Sequence, residues 1–194
     1  IIWGFAFVVV KNSLDLIPAS YMLAFRFTIA AVLLAAIFWK RLKFLNRKII
    51  KEGAVLGFLL FMSYLLQTIG CDYTTAGKNA FLTAVYCAIV PFLVWIIHHK
   101  RPDIYNFIAA FICILGIGCV SLNGDLSINI GDLLTLCGGF LYAIHILMIK
   151  KFSAGVDGGA FTTFQFIGGA CVALVVTVLS EDITLVGHIQ SSIF

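Results

Sequence analysis

Apolar residues run in long stretches along this chain, with polar residues gathered into short breaks between them. Six stretches have the length of a membrane crossing: 17–39, 53–71, 76–97, 105–122, 131–149 and 160–179. As helices of about 18–23 residues they would reach roughly 27–35 Å at 1.5 Å per residue, and a crossing needs roughly 20 residues. A seventh stretch, around Trp3, reaches Lys11 after only about half that length. Because the chain opens on Ile, this stretch reads as the remainder of a helix whose start is missing. The closing "SSIF" reads as the beginning of another. The breaks are short, so successive helices are expected to be antiparallel neighbours.

Composition turns this pattern into a fold class. Hydrophobic residues make up 62% of the chain and charged residues 11%, with a mean hydropathy of +1.09. A soluble domain carries about 25% charged residues. The reading is an all-α polytopic membrane protein, here a fragment with about seven transmembrane helices. The six cysteines form no C-x-x-C, and most sit in apolar stretches, where they behave as small hydrophobes.

Charge sets the expected orientation. The breaks after the second, fourth and sixth helices hold Lys40, Arg41, Lys43, Arg47, Lys48, Lys51, Lys100, Arg101, Lys150 and Lys151. These are ten of the thirteen Lys and Arg. The opposite side has Lys11 and Lys78 with Asp15, Asp72, Asp125, Asp132, Glu181 and Asp182. The basic side is therefore expected in the cytoplasm, in a multi-pass protein of the plasma membrane. These clusters need no nucleic-acid partner; membrane lipid headgroups suffice.

Two parts of the chain resemble one another. "WGFAFVVVKNSLDLIPASYMLAFRFTIAAVLL" from Trp3 aligns with "GGFLYAIHILMIKKFSAGVDGGAFTTFQFIGGACVALV" from Gly138, and "AFRFTIAA" meets "TFQFIGGA", so Arg26 answers to Gln165. The copies start at the first and sixth helices. An odd number of spans per copy inverts the second copy in the bilayer, a mark of secondary transporters. Residues 1–122 are expected to form the first repeat and residues 131–194 the start of the second.

The segments "WGFAFVVVK", "LAFRF", "YTTAGKNAFLTAVYCAIVPFLVW" and "FICILGIGCVSLNG" resemble the EamA-type members of the drug/metabolite transporter superfamily. The resemblance extends over essentially the whole chain, and "TTAGKNAFLTA…P" is its most specific part. It implies ten helices in two inverted five-helix repeats, cytoplasmic termini, and export or exchange of a small metabolite. After the fourth helix this chain reads "HHKRPD" where many members carry a Glu, and no site residue is carried over at that turn.

Polar residues inside apolar helices are the candidates for substrate contact. Arg26 lies about nine residues, or roughly 13 Å, from its helix end. A charge at that depth lines a cavity or finds a structural partner, here helix-end carbonyls or Asp72. As a ligand group, its planar fork suits a carboxylate or phosphate. In the fourth helix Asn79, Thr83 and Tyr86 form a polar stripe beside a ridge of Ala76, Ala80, Ala84 and Ala88, on which another helix is expected to pack. Pro91 is expected to kink this helix near residue 87. Gln67, Trp3 and Gln165 complete the substrate-binding set. Tyr142 and His145 share a helix face and read as packing residues, Lys78 as an interfacial anchor, and Gly53-x-x-x-Gly57 as a close helix contact.

No carboxylate is expected inside a span. Neither H-E-x-x-H, G-x-S-x-G nor a Walker loop occurs. The expectation is a transporter and not an enzyme, with no cofactor or metal, working by alternating access as an exchanger or uniporter. The alternatives are an intramembrane lipid-modifying enzyme or a non-transporting scaffold. Substrate identity and homo-oligomer formation are left open.

Overall fold

Every apolar band becomes a helix, and one of them comes in two pieces. The structure, a computed structural model, describes residues 2–44, 46–99, 101–121 and 129–180. Its helices are α1 (Ile2–Leu14), α2 (Ala19–Ile37), α3 (Arg47–Tyr73), α4 (Ala76–Ala84), α5 (Tyr86–His98), α6 (Ile104–Ser121), α7 (Ile130–Phe152) and α8 (Gly158–Ser180), with a short 3₁₀ helix over Trp39–Phe44. Five crossings meet the demands of length and hydropathy: α2, α3, the α4–α5 pair, α7 and α8. The chain is thus an all-helical, polytopic membrane protein. Lys100, Asp125, Glu181, Asp182 and the side chain of Trp3 lie outside the described residues.

Side-chain caps fix where several helices start. Asn46 accepts from the Ile49 amide at 2.9 Å, and Thr75 from the Lys78 amide at 3.2 Å. Asn129 and Asp132 bond each other's amides at 2.8 and 3.1 Å, a reciprocal capping box. Asp157 accepts from the Ala160 amide at 2.9 Å. The Asn46 cap starts α3 at Arg47, earlier than hydropathy alone suggests, so half of the expected basic loop is helix. That change carries Glu52 into α3, and Asp132 sits buried in the first turn of α7. The expectation of carboxylate-free spans is corrected at both helices: the Asn46 cap carries α3 past its apolar run to Glu52, while Asp132, already within the 131–149 stretch, is held in the first turn of α7 by its capping box.

Pro91 removes one helical hydrogen bond and crowds the turn before it. The helix breaks at Val85, slightly ahead of the expected site near residue 87. Its amide makes a tighter contact to the Leu82 carbonyl at 3.3 Å, and the next helix begins at Tyr86.

Packing centres on α3, which runs along both α7 and α8, while α2 lies against α8. Leu23, Ala24, Phe27 and Ala31 of α2 meet Leu60 and Phe61 of α3 and Ala170 and Ala173 of α8 in the main cluster. A second cluster, nearer the basic end, joins Ile49 and Leu56 to Ala160 and Phe161. Lipid offers helices little hydrophobic reason to associate, so close backbone approach matters more than apolar area. Gly57 supplies it: a Cβ there would collide with the Gln165 carbonyl and lie 2.6 Å from the Gly169 amide nitrogen. At the other end of α3, a Cβ on Gly70 would collide with Thr135 Oγ1 and lie 2.7 Å from the Gly131 carbonyl. Many large side chains outside these clusters point outward instead. On α6, Ile104, Tyr105, Phe111 and Ile114 are all exposed, as suits a lipid-facing surface.

Ion pairs tie both ends of the bundle. At the basic end Arg41 meets Asp157 at 2.7 Å, across an exposed surface. The Ala160 amide and the Arg41 guanidinium hold the Asp157 carboxyl below the usual carboxylate range. At the opposite end Lys78 meets Asp132 at 2.6 Å, and the Asp132 side chain is only 3% exposed. Thr74 adds a bond to the same carboxylate at 3.0 Å. An exposed pair is worth about 0–1 kcal/mol. Removing one partner of a buried pair costs about 3–5 kcal/mol, because the other charge is left unpaired. Lys78 is therefore a helix tie between α4 and α7, beyond the interfacial anchor expected of it. Lys11 adds a further tie, donating to the carbonyls of Cys71 at 2.9 Å and Asp72 at 2.5 Å at the end of α3. A cation there meets the negative end of the helix dipole.

Candidate functional site

Several polar side chains of the apolar helices border one cavity of about 320 Å³. Its wall draws on α1, α2, α3, α4, α5 and α7. Arg26, Gln67, Asn79, Thr83 and Tyr86 all border it. Ala80 and Ala84 do too, so the alanine ridge opens onto space where a packed helix was expected. Small side chains on that face leave room beside the polar stripe.

Arg26 is exposed and has no carboxylate partner among the described residues; its guanidinium lies over the Tyr64 ring, 5.1 Å from the centroid. Neither the helix-end carbonyls nor Asp72 hold it. A cation over a ring face gains about 0.5–1 kcal/mol at exposed sites. Tyr64 in turn meets Tyr142 edge-on at 5.4 Å and Phe27 at 5.7 Å, and Tyr86 lies 6.0 Å from Tyr142. These rings give the Arg26 side of the cavity a stiff aromatic wall.

A hydrogen-bonded chain continues from there. The Tyr142 hydroxyl donates to Gln67 Oε1 at 3.4 Å, and Gln67 Nε2 donates to Thr83 Oγ1 at 2.9 Å. Thr83 Oγ1 donates to the Asn79 carbonyl at 2.8 Å. Asn79 Nδ2 donates to the Gln67 carbonyl at 3.0 Å and to Thr135 Oγ1 at 2.7 Å. Three of the expected contact residues therefore also bind α3, α4 and α7 to one another. In a medium without water such bonds are the available partners for buried polar groups.

Gln165 does not border the cavity. It is buried on α8, and its Nε2 lies 2.9 Å from His145 Nε2, which does border it. Gln165 thus stands behind the wall, holding a ring that faces the interior. Tyr142 and His145, expected to be packing residues, both line the cavity, and Tyr64 was not anticipated at all. The i,i+3 spacing of Tyr142 and His145 carried a usable signal; Tyr64 in an apolar run did not. All six cysteines are free thiols, and Cys71 borders the cavity. Among the described residues no group of His, Cys, Asp and Glu could hold a metal ion.

Residues 1–122 match the EamA-like transporter family. An uncharacterized transporter of Archaeoglobus fulgidus is 33% identical over 79% of this chain and 47% of its own length. A second uncharacterized transporter of that organism is 24% identical over 86% of this chain and 60% of its own. Solute carrier family 35 member F2 of Mus musculus is 30% identical over 42% of this chain and 25% of its own. The chain thus spans 25–60% of the length of these curated relatives. No solved structure matches. The family and relatives are described as transporters or solute carriers, in line with a multi-pass protein whose apolar helices surround a largely apolar cavity bordered by a few polar side chains, and the chain belongs to the EamA-like transporter family.

Proposed function

We propose that this chain is part of a secondary transporter that exports or exchanges a small metabolite by alternating access, with the cavity as its substrate site. Residues 1–122 form the first inverted repeat and residues 131–194 begin the second. Arg26 receives an anionic group of the substrate, a carboxylate or phosphate, while Gln67, Asn79, Thr83 and Tyr86 shape the pocket and Gln165 supports it from behind His145. One observation carries this reading: a cation without a carboxylate partner among the described residues borders a cavity whose described lining contains no Asp or Glu. A low-polarity wall strengthens the pull of that charge on an anion. The lack of a carboxylate in the wall favours exchange or uniport.

Proteoliposomes holding the full-length protein and loaded with a panel of small carboxylates and phosphate esters should show saturable counterflow for at least one of them. Rates equal to protein-free vesicles across the panel would sink the reading.

The orientation places the basic end in the cytoplasm of a cell with this protein in its plasma membrane. A single cysteine at Asp15 should react with an impermeant thiol reagent on intact cells, and one at Arg47 should not. The reverse pattern would turn the protein over in the membrane.

A further inference from the structure

The surface that the cavity offers a ligand differs from the list of residues around it. Gln67, Thr68, Asn79, Thr83 and His145 border it, yet each is at most 8% exposed. Their hydrogen bonds run into the bundle: Gln67 to Thr83, Thr83 to the Asn79 carbonyl, Asn79 to Thr135, and His145 to Gln165. Apart from Arg26, the described wall residues that keep accessible surface are aliphatic or carry an aromatic ring. The rings are Phe7 on α1, Tyr64 on α3, Tyr86 on α5 and Tyr142 on α7. The Tyr142 hydroxyl is already given to Gln67, so at most the Tyr64 and Tyr86 hydroxyls remain for a polar group. Three of the rings stand in series. Arg26 lies over Tyr64, and the centroids of Tyr64, Tyr142 and Tyr86 follow at 5.4 and 6.0 Å. These are the separations at which aromatic rings attract one another.

We propose that the ligand is an anion built on a flat, apolar ring and poor in hydroxyl groups: its charge meets Arg26, and its ring lies against Tyr86 and Tyr142, which set the preference. The inference rests on the reading of Arg26 as the anion contact and adds the chemistry of the ligand's body. A polyhydroxylated anion entering this space gives up water for rings and methyl groups, and its hydroxyls lose their partners. A ring loses little water of value and gains edge or face contact with the tyrosines. A cavity of about 320 Å³ is at the small end of ligand sites, which suits a single ring on a short acid chain.

The test measures the affinity of the purified full-length protein for three acids: 3-phenylpropanoate, 3-cyclohexylpropanoate and gluconate. All three carry one carboxylate. The phenyl acid should bind roughly 2- to 10-fold more tightly than its saturated analogue. It should bind at least about tenfold more tightly than gluconate. Replacing Tyr86 and Tyr142 together by Phe keeps both rings, so the phenyl preference should persist. Replacing both by Leu should bring the phenyl and cyclohexyl acids within about twofold of each other. Arg26→Gln should weaken all three acids. Equal affinities for the three in the wild type would overturn the ring preference and leave the anion reading intact. An undiminished phenyl preference in the folded double Leu variant would remove Tyr86 and Tyr142 from the role. If none of the three acids binds, this inference falls, and the counterflow panel decides the anion reading separately.

Discussion

Replacing Arg26 by Gln should leave the protein folded and nearly abolish transport. The guanidinium contributes to the fold through its contact with the Tyr64 ring, 5.1 Å away, and Arg26 itself is exposed. Losing that contact costs about 0.5–1 kcal/mol, too little to deplete a folded membrane protein. A substrate anion loses more. Hydrogen bonds to charged groups carry about 1.5–3 kcal/mol, or roughly 10- to 100-fold in affinity. Arg26→Lys keeps the charge but not the bidentate fork, so it should fall between the two. Flux per folded molecule, measured for all three forms, separates a binding role from a structural one. Normal flux per molecule by Arg26→Gln would end the claim that this charge meets the substrate.

Gly57→Leu should instead prevent assembly, and Gly57→Ala should weaken it. The atoms that a Cβ would meet are the Gln165 carbonyl and the Gly168 and Gly169 backbone, none of which can rotate aside. The only relief is to separate α3 from α8. That opens the cluster of Phe27, Phe61, Ala170 and Ala173 and strains the Gln165–His145 bond behind the cavity. Overpacking costs about 1–3 kcal/mol where side chains can yield, and more against backbone. Gly77→Ala is the control: nothing lies within 4 Å of its added methyl. At an exposed helical position Ala should be neutral or stabilising by up to about 1 kcal/mol. Thermal midpoints in detergent, with recovery of monodisperse protein, give the comparison. A wild-type midpoint for Gly57→Leu would mean that α3 and α8 do not pack as described.

Hydropathy alone exposed most of this architecture, because lipid tolerates few polar residues and each exception stands out. Arg26, Gln67, Asn79, Thr83 and Tyr86 were legible for that reason, and the fold gathers all five around one space. Tyr64 was not, since a tyrosine in an apolar run has the same signature whether it fills a gap or faces a cavity. Asp132 was counted only among the charges of the non-basic side, although Asn129 and Asp132 have the spacing of a capping box. Charge counting overrode the cap. Ala80 and Ala84 show the opposite limit: small residues at helical spacing permit a close helix or an empty space, and only the neighbouring elements choose. The pairing of Lys11 with the end of α3 joins residues sixty positions apart, beyond any local pattern.

The break at Val85 makes the α4–α5 crossing a jointed lever. Its upper arm, α4, is bolted to the bundle by Lys78 on Asp132, by Asn79 on Thr135 and by Thr83 on Gln67. Its lower arm, α5, has no side-chain hydrogen bond to another helix among the described residues and rests on α6 and α7 through apolar contact. The two arms therefore resist bending unequally, and the compliant point falls between Thr83 and Tyr86, two neighbours on the cavity wall. A swing of the lower arm alters the space on one side of that point while the upper rim keeps its shape.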